Sequence, residues 1–388
     1  MNATVADDVR RRADRTRSAE RWSSVASEIM IARISGIGCV TPLGSSPGEI
    51  RRRSANGERA AVTQVTNPET GRIYSAAMMP PESVAHLNRE PRLRRASAIS
   101  LLAAAAGKAA IADSGMELTA AFRSRLALVF GVSSGGVQYT RRFYEKVVKQ
   151  GASAASPLLF PETVYNAPAS HLAAMLGVDG ATYTIVGDGT VGLQALHLGA
   201  QLLATGEADH VLVVGAEELD WILLEAHRAW RLLARDGNAR PHSKPHTGAL
   251  LAEGAAAVLL SREAGRATVH VGEGSTYFSR KDAPEAMSEA VARFAGFAPV
   301  DVIVSGGNGT WVDDAIAFAV EKHFPKTRLP QITPKTHVGE AIGAGALMQV
   351  AMAVDAVEHL DASRALVAAM GWNQQAAAAL IEGNGNGQ

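Results

Sequence analysis

A short glycine-rich turn carries the most reactive-looking arrangement of residues in this sequence. An apolar, β-rich run from Thr182 to Val186 is followed by the turn Gly187-Asp188-Gly189-Thr190, and a helical pattern begins at Val191. This order of strand, tight turn and helix start is typical of a loop that presents one reactive atom at a helix N-terminus. The turn contains no cysteine, serine or histidine, so it lacks the usual nucleophiles and general bases.

The same turn also matches a nucleotide-binding pattern. The letters GDGTVG, which begin at Gly187, form a G-x-G-x-x-G motif between a predicted strand and a predicted helix, where N–H groups can bind a pyrophosphate. Two features oppose this interpretation: the motif lies mid-chain, and Asp188 places a carboxylate where the phosphates must lie. The structural alternative is that Asp188 caps the helix and the glycines permit close packing.

Histidine and cysteine spacings give little support for a metal site. His242 and His246 have the i, i+4 spacing of a helical ligand pair, but Pro241 and Pro245 make a helix there improbable. The single cysteine, Cys39, excludes a disulfide framework and a cysteine-based zinc or iron–sulfur site. It lies in the first apolar run, so we interpret it as a small buried hydrophobe and predict no metal centre.

Composition narrows the function classes further. The 388 residues have a formal net charge of zero and a pI near 7.2, so no overall basic field attracts nucleic acid or an anionic membrane. No apolar run reaches the length of about 18 residues that a bilayer span needs. Residues 1–30 mix arginines with acidic residues and lack the apolar core of a signal peptide, so we predict a solvated N-terminal extension. These features are compatible with a cytoplasmic protein.

The elements that must position the turn alternate along the chain. Apolar runs such as MIARISGIGCV, LALVFGV and PVDVIVS end in glycine-rich turns, and helical patterns follow them. The runs 249–263 and 267–280 look like a pair of neighbouring strands. Strand–turn–helix units throughout, in two halves of similar make-up, predict an α/β protein of layered sheets and helices.

The order of five motifs resembles that of the β-ketoacyl synthases of the thiolase superfamily, from about Ile31 to Glu382. The motifs are ISGIGCVTPLG, SPLLFPETVYNAPASHLAAMLGVDG with the helix and strand GLQALHLGAQLLATGEADHVLVVGAEE, GALLAEGAAAVLL, GNGTWVDD and PKTHVGEAIGAGAL. The resemblance implies a thiolase-like fold with layered α/β/α/β/α architecture. Its two halves are expected over residues 31–265 and 266–383.

The catalytic residues that the resemblance implies are missing. The family's cysteine falls on Gly189, its first histidine on Gly306 and its second on Glu340, while Lys335 keeps its counterpart. The family's gating loop is replaced by Met370-Gly371-Trp372-Asn373. Glycine cannot carry a thioester, so we expect no condensing activity from this chain alone. Glu340 is expected to make a buried hydrogen-bonded or ion-paired contact, with a role as a general base as the alternative.

A ketosynthase-type chain without these residues resembles the chain length factors of type II polyketide synthases. That resemblance implies a heterodimer with a catalytic ketosynthase, and an acyl chain supplied on the phosphopantetheine of an acyl carrier protein, with no cofactor bound by the chain itself. Val137, Thr140 and Tyr144 match the positions that limit the acyl tunnel, and their spacing puts them on one helix face, which could also be ordinary core. A homodimeric enzyme acting on acyl thioesters through Glu340 or Asp188 is the alternative. The product class, whether polyene, aromatic or fatty acyl, stays open.

Overall fold

Strands and helices alternate along the chain as predicted. The computed structural model describes residues 29–297, 299–325 and 329–384, so the predicted extension 1–30 lies outside the described residues except for its last two positions. The strands of the first half are β1 Met30–Val40, β2 Thr63–Thr66, β3 Ile73–Ala76, β4 Leu126–Val132, β5 Thr182–Val186, β6 His210–Glu217 and β7 Gly254–Ser261. Its helices are α1 Pro47–Ala55, α2 Glu82–Ala85, α3 Ala98–Ser114, α4 Ala120–Ser124, α5 Val137–Gln150, α6 Ala167–Leu176, α7 Val191–Thr205 and α8 Trp221–Ala229.

The second half is shorter and is built in the same way. Its strands are β8 Ala267–Val271, β9 Ser275–Thr276, β10 Val302–Ser305, β11 Gln331–Ile332, β12 Arg364–Met370 and β13 Gln375–Gly383. Its helices are α9 Ala283–Ala292, α10 Val312–His323, α11 Lys335–Val338 and α12 Ile342–His359.

The two halves have matching strand orders. The main sheet runs β11-β10-β12-β13-β8-β1-β7-β6-β4-β5, with β9 beside β13. On each side the outer pairs are parallel (β5–β4–β6 and β11–β10–β12), and the inner pairs are antiparallel. The predicted two similar halves are therefore confirmed, and they meet where β1 pairs with β8.

One predicted pairing is wrong. The consecutive strands β7 and β8 are not neighbours in the sheet, because β1 lies between them and pairs with both. The register pairs Val40 with Ala255 on one side of β1 and Met30 with Val271 on the other. Sequence reasoning favoured the local hairpin because nearby strands usually pair, and it had no signal for the long-range insertion of the N-terminal strand.

The buried side chains divide into layers. Along β6, Val211 and Val213 belong to the central apolar cluster, whereas Leu212 and Val214 face a second cluster beneath α3 and α6. The strands of the second half alternate in the same way between the central cluster and a third cluster beneath α9 and α10. Helices α7 and α12 fill the centre, which gives the predicted α/β/α/β/α layering.

Helix α12 lies in the middle because small residues let it approach the sheet. A Cβ added to Gly343 would lie 2.5 Å from the carbonyl oxygen of Ala216 on β6, and a Cβ on Gly215 would overlap the carbonyl oxygen of Gly343. At this interface alanines and glycines take the place of larger side chains, so the backbones of the helix and the strand come into direct contact. Although α12 has 18 residues, none of the described helices is both long and apolar enough to cross a bilayer.

Candidate functional site

The turn at Gly189 is closed by a segment from the other end of the chain. Gly189 is buried between β5 and α7, and a Cβ added to it would lie 3.0 Å from the carbonyl oxygen of Met370 and 3.2 Å from the Cα of Gly371. We call residues Met370–Asn373 the strap. The position lacks the nucleophile, and the strap would have to shift slightly to admit a cysteine side chain at this turn.

Close packing also accounts for the glycine three residues further on. A Cβ on Gly192 would lie 2.9 Å from both the backbone nitrogen and the Cγ of Leu347 on α12. The glycines at 189 and 192 therefore let the start of α7 approach the strap and α12. This supports the packing interpretation of the GDGTVG motif, because the contacts occupy the space in front of the turn that a pyrophosphate would need.

The first lost histidine position is equally crowded. A Cβ on Gly306, directly after β10, would lie 2.8 Å from the carbonyl oxygen of Ala368 and 3.2 Å from the Oε1 of Gln349. Gln349 is fully buried on α12, and its Nε2 donates to the carbonyl oxygens of Val304 and Ala368 at 3.1 Å each. Sequence reasoning missed Gln349, since a single glutamine in an alanine-rich helix gives no signal for the two strand ends that it bridges.

Glu340, at the second lost histidine position, is held in a buried ion pair. The Nζ of Lys335 lies 2.6 Å from Glu340 Oε2, and Asn308 Nδ2 donates to the same oxygen at 2.9 Å. Both charged side chains are almost fully buried. The predicted hydrogen-bonded and ion-paired contact is therefore present. Asn308 is held in turn by Thr310, whose hydroxyl donates to its Oδ1 at 2.7 Å.

Asp188 reaches from the turn to the strap. The backbone N–H of Asn373 donates to Asp188 Oδ2 at 2.6 Å, while Asp188 Oδ1 is buried and has no hydrogen-bond partner among the described residues. Burial raises the pKa of Asp188 to about 6; the charge of Glu340 adds to this rise, and the Asn373 N–H opposes it. Ionising Asp188 therefore costs free energy, because its carboxylate is buried and lies near the charge of Glu340.

Aromatic rings cover the other side of the strap. The indole Nε1 of Trp372 donates to the hydroxyl of Thr310 at 3.1 Å, and its ring lies 5.4 Å, centroid to centroid, from the buried ring of His227 on α8. Burial lowers the pKa of His227, which favours the neutral imidazole. Sequence reasoning missed His227 because it lies alone in an ordinary amphipathic helix.

A second histidine lies near Gly306 without replacing the lost one. His242 Nε2 is 2.9 Å from the hydroxyl of Ser305, but its ring occupies the space beside Gly307, where a Cβ would lie 2.5 Å from that nitrogen. A side chain at Gly306 would instead point toward Gln349. His246 pairs with Asp314 at 3.0 Å, so the two histidines have different partners. In the parts of the chain that are described, no three possible metal ligands come together.

The predicted tunnel face lies on α5 and runs from the core to the surface. Val137 is buried, Thr140 is half-buried with its hydroxyl donating to Gly136 O at 2.9 Å, and Tyr144 is 58 % exposed. Tyr144 lines a surface groove of about 420 Å³ together with Trp221. Val137 and Thr140 do not line this groove, so the structure separates the three predicted residues.

The end of β6 fixes the position of α5. The backbone N–H of Gln138 donates to Glu218 Oε1 and that of Ile99, at the start of α3, donates to Oε2, both at 2.9 Å. Arg141 Nε lies 2.9 Å from Asp220 Oδ2. Burial raises the pKa of Glu218 to about 7, with the two N–H donors opposing the rise. One buried carboxylate thus joins the starts of two helices.

A large basic groove opens beside the strap. Its volume is about 1360 Å³, and its lining includes Arg231, Arg235 and Arg240, whose side chains form no hydrogen bond or ion pair with any part of the chain that the structure describes. Arg280 lies over the ring of Trp311, 5.2 Å from its centroid. Thr310 also lines the groove, so it ends at the residue that Trp372 contacts. The formal net charge of zero gave no indication of this local excess of cationic side chains.

Comparisons with known proteins identify the family of the chain. The profile of the β-ketoacyl synthase N-terminal domain matches residues 32–265. A 3-oxoacyl-[acyl-carrier-protein] synthase 2 of Coxiella burnetii is 25% identical over an alignment of 358 residues that covers 84% of this chain and 85% of the relative. A putative polyketide β-ketoacyl synthase 2 of Streptomyces halstedii is 28% identical over 60% of this chain and 62% of its own length.

Solved structures share the fold at lower identity. The ishigamide ketosynthase/chain length factor superposes with a TM-score of 0.81 at 18% identity, covering 92% of this chain and 100% of the other. A ketosynthase in complex with its chain length factor from Xenorhabdus doucetiae gives 0.76 at 18% identity, covering 92% and 98%. The profile match spans more than half of the sequence; the protein therefore belongs to the β-ketoacyl synthase family, and its fold is thiolase-like.

Proposed function

We propose that this chain is a chain length factor-type subunit of a type II polyketide ketosynthase heterodimer. It would shape the acyl tunnel while its partner catalyses decarboxylative condensation of malonyl units carried on an acyl carrier protein. The observation that carries the proposal is the turn at Gly189, which has no nucleophile and is tightly packed beneath the strap. At the second lost position, Glu340 forms a buried ion pair with Lys335 and does not provide a proton-transfer group.

An unpaired sheet edge supports a protein partner. Strand β5 lies at the end of the strand order and has no outer neighbour in the described chain. Tyr183 and Val186 are 39 % and 52 % exposed on this strand. Additional large apolar side chains are exposed on the segment before it: Leu158, Phe160, Val164 and Tyr165. An exposed edge with an apolar surround favours pairing with another chain, and the catalytic ketosynthase is the occupant that we propose.

The proposed tunnel role of α5 depends on that partner. Tyr144 lies at the surface of the isolated chain, so it can stop a growing acyl chain only if a second subunit covers its groove. Val137 and Thr140 lie deeper on the same helix and would leave room for the chain. The volume of the side chain at 144 would then set the product length.

The basic groove supports a carrier-borne substrate. Its three arginines without a partner in the described chain suit the phosphate of a phosphopantetheine arm and a carrier protein with acidic side chains at its contact surface. The acyl group would remain on the carrier or on the partner's cysteine. The chain itself would hold no cofactor.

Co-expression tests the proposal. The chain is co-purified with a cysteine-bearing ketosynthase from the same genomic neighbourhood, and condensation is assayed with malonyl carrier protein. We expect a stable one-to-one complex and loss of condensation when either subunit is omitted. Full condensing turnover by the purified chain alone, or an acyl adduct on the 187–190 turn, would overturn the proposal.

A second candidate function rests on Asp188. Its pKa near 6 and its unpartnered Oδ1 are properties of a carboxylate that can exchange a proton near neutral pH. A homodimeric enzyme with altered acyl-thioester chemistry could use such a group. Hydrolysis or transfer of an acyl thioester by the isolated chain, abolished by Asp188→Asn, would favour this candidate over the first.

A further inference from the structure

Three hydrogen bonds join the strap to described segments outside the β12–β13 hairpin, and their partners lie in different parts of the fold. Trp372 bonds to Thr310 on the side of the basic groove, and the hydroxyl of Tyr277 donates to the carbonyl oxygen of Gly371 at 2.7 Å. The third contact is the Asn373 N–H on Asp188. Of the three, only Asp188 belongs to the turn that the strap covers.

The contact between Asp188 and the strap is closely fitted. A Cβ on Gly371 would overlap the carboxylate of Asp188, so that carboxylate rests directly on the strap backbone. Its Oδ2 accepts the Asn373 N–H at 2.6 Å. The backbone N–H of Thr190, at the start of α7, also lowers the pKa of this carboxyl, so Asp188 joins the helix start to the strap.

We propose that Asp188 is a latch that holds the strap closed over the Gly189 turn and so separates this turn from the basic groove. The strap lies between the two: its Trp372 side contacts Thr310, which lines the groove, and its backbone contacts Gly189. Thr310 thus connects the wall of the groove to the strap. The latch is a property of this chain and does not depend on the proposed heterodimer.

Hydrogen–deuterium exchange of the full-length chain tests the latch. Asp188→Ala removes the acceptor of the Asn373 N–H, whereas Asp188→Asn keeps an oxygen acceptor of the same shape and serves as the matched control. We expect the peptide containing residues 370–374 to exchange at least about tenfold faster in Asp188→Ala. We expect it to exchange at nearly the wild-type rate in Asp188→Asn. Peptides from β6 and β7 should be unchanged in both variants.

Two results would overturn the latch. Unchanged exchange of the strap in folded Asp188→Ala would show that the carboxylate does not hold it. Faster exchange spread equally over β12, β13 and α7 would show a general structural role instead. If Asp188→Ala fails to fold, Asp188→Leu, which has a similar shape but no acceptor, takes its place: faster exchange confined to the strap supports the latch, and exchange at the Asp188→Asn rate refutes it. A strap already open in the Asp188→Asn single variant refutes it.

Discussion

Replacing Asp188 by asparagine should stabilise the protein at alkaline pH. The pKa of Asp188 rises from 3.8 to about 6 on folding, because burial disfavours the carboxylate. The native state therefore binds more protons than the unfolded state between these values, and stability falls as the pH rises through this window. Above about pH 7 the cost of ionised Asp188 is at most about 3 kcal/mol. Asparagine does not carry this cost and keeps an oxygen for the Asn373 N–H.

Urea unfolding of wild type and Asp188→Asn at several pH values measures the effect. We expect the variant to be more stable by about 1–3 kcal/mol at pH 8, with the difference shrinking toward pH 4, where the wild-type carboxyl is neutral in the native state and only about half ionised in the unfolded state. Glu217 and Glu218, whose pKa values burial also raises to about 7, titrate in both proteins and cancel in the comparison. A variant that is less stable at pH 8 than the wild type would refute the reasoning, since it would mean that the ionised carboxylate stabilises the fold.

Three further changes have expected outcomes. Lys335→Met leaves the buried carboxylate of Glu340 uncompensated and should cost about 3–5 kcal/mol in urea unfolding, most of it recovered by adding Glu340→Leu; an additive double variant would contradict this coupling. With a catalytic partner present, Tyr144→Ala should lengthen products and Tyr144→Trp shorten them in mass spectra, and unchanged lengths in both would remove Tyr144 from the tunnel. Arg231→Glu should weaken carrier-protein binding about tenfold at low salt and reduce its salt dependence in calorimetric titrations; equal affinity would place the carrier elsewhere.

The sequence contained enough information for the architecture because its signals are local and repeated. Each apolar run ending in glycine is a strand in the structure, and helices end where glycines permit a positive φ, as at Gly115 and Gly206. Five ordered motifs then implied the layering. The predicted β7–β8 pairing failed because pairing partners distant in sequence leave no local trace. The insertion of β1 between them involves residues more than 200 positions apart.

The loss of catalytic residues could also be recognised from position alone, but what replaced them could not. Counting along motifs placed the vacant positions on Gly189 and Gly306. That the strap and Gln349 fill the space there depends on backbone approaches of about 3 Å between segments far apart in the chain. Likewise, Tyr144 has the correct helical spacing for the tunnel face, yet α5 ends at the surface, and periodicity does not say where a face meets solvent.

The insertion of β1 between β7 and β8 has a consequence for how the polypeptide holds together. Strand β1 pairs with β7 of the first half and with β8 of the second half. Neither 31–265 nor 266–383 can therefore complete the backbone hydrogen bonds of its strands without the other. Cutting the chain near residue 265 would leave β1 with an unpaired edge in the first fragment and β8 with an unpaired edge in the second. Unpaired strand edges of this kind are templates for intermolecular association. We therefore expect the halves to melt in one cooperative transition, and each fragment expressed separately to aggregate.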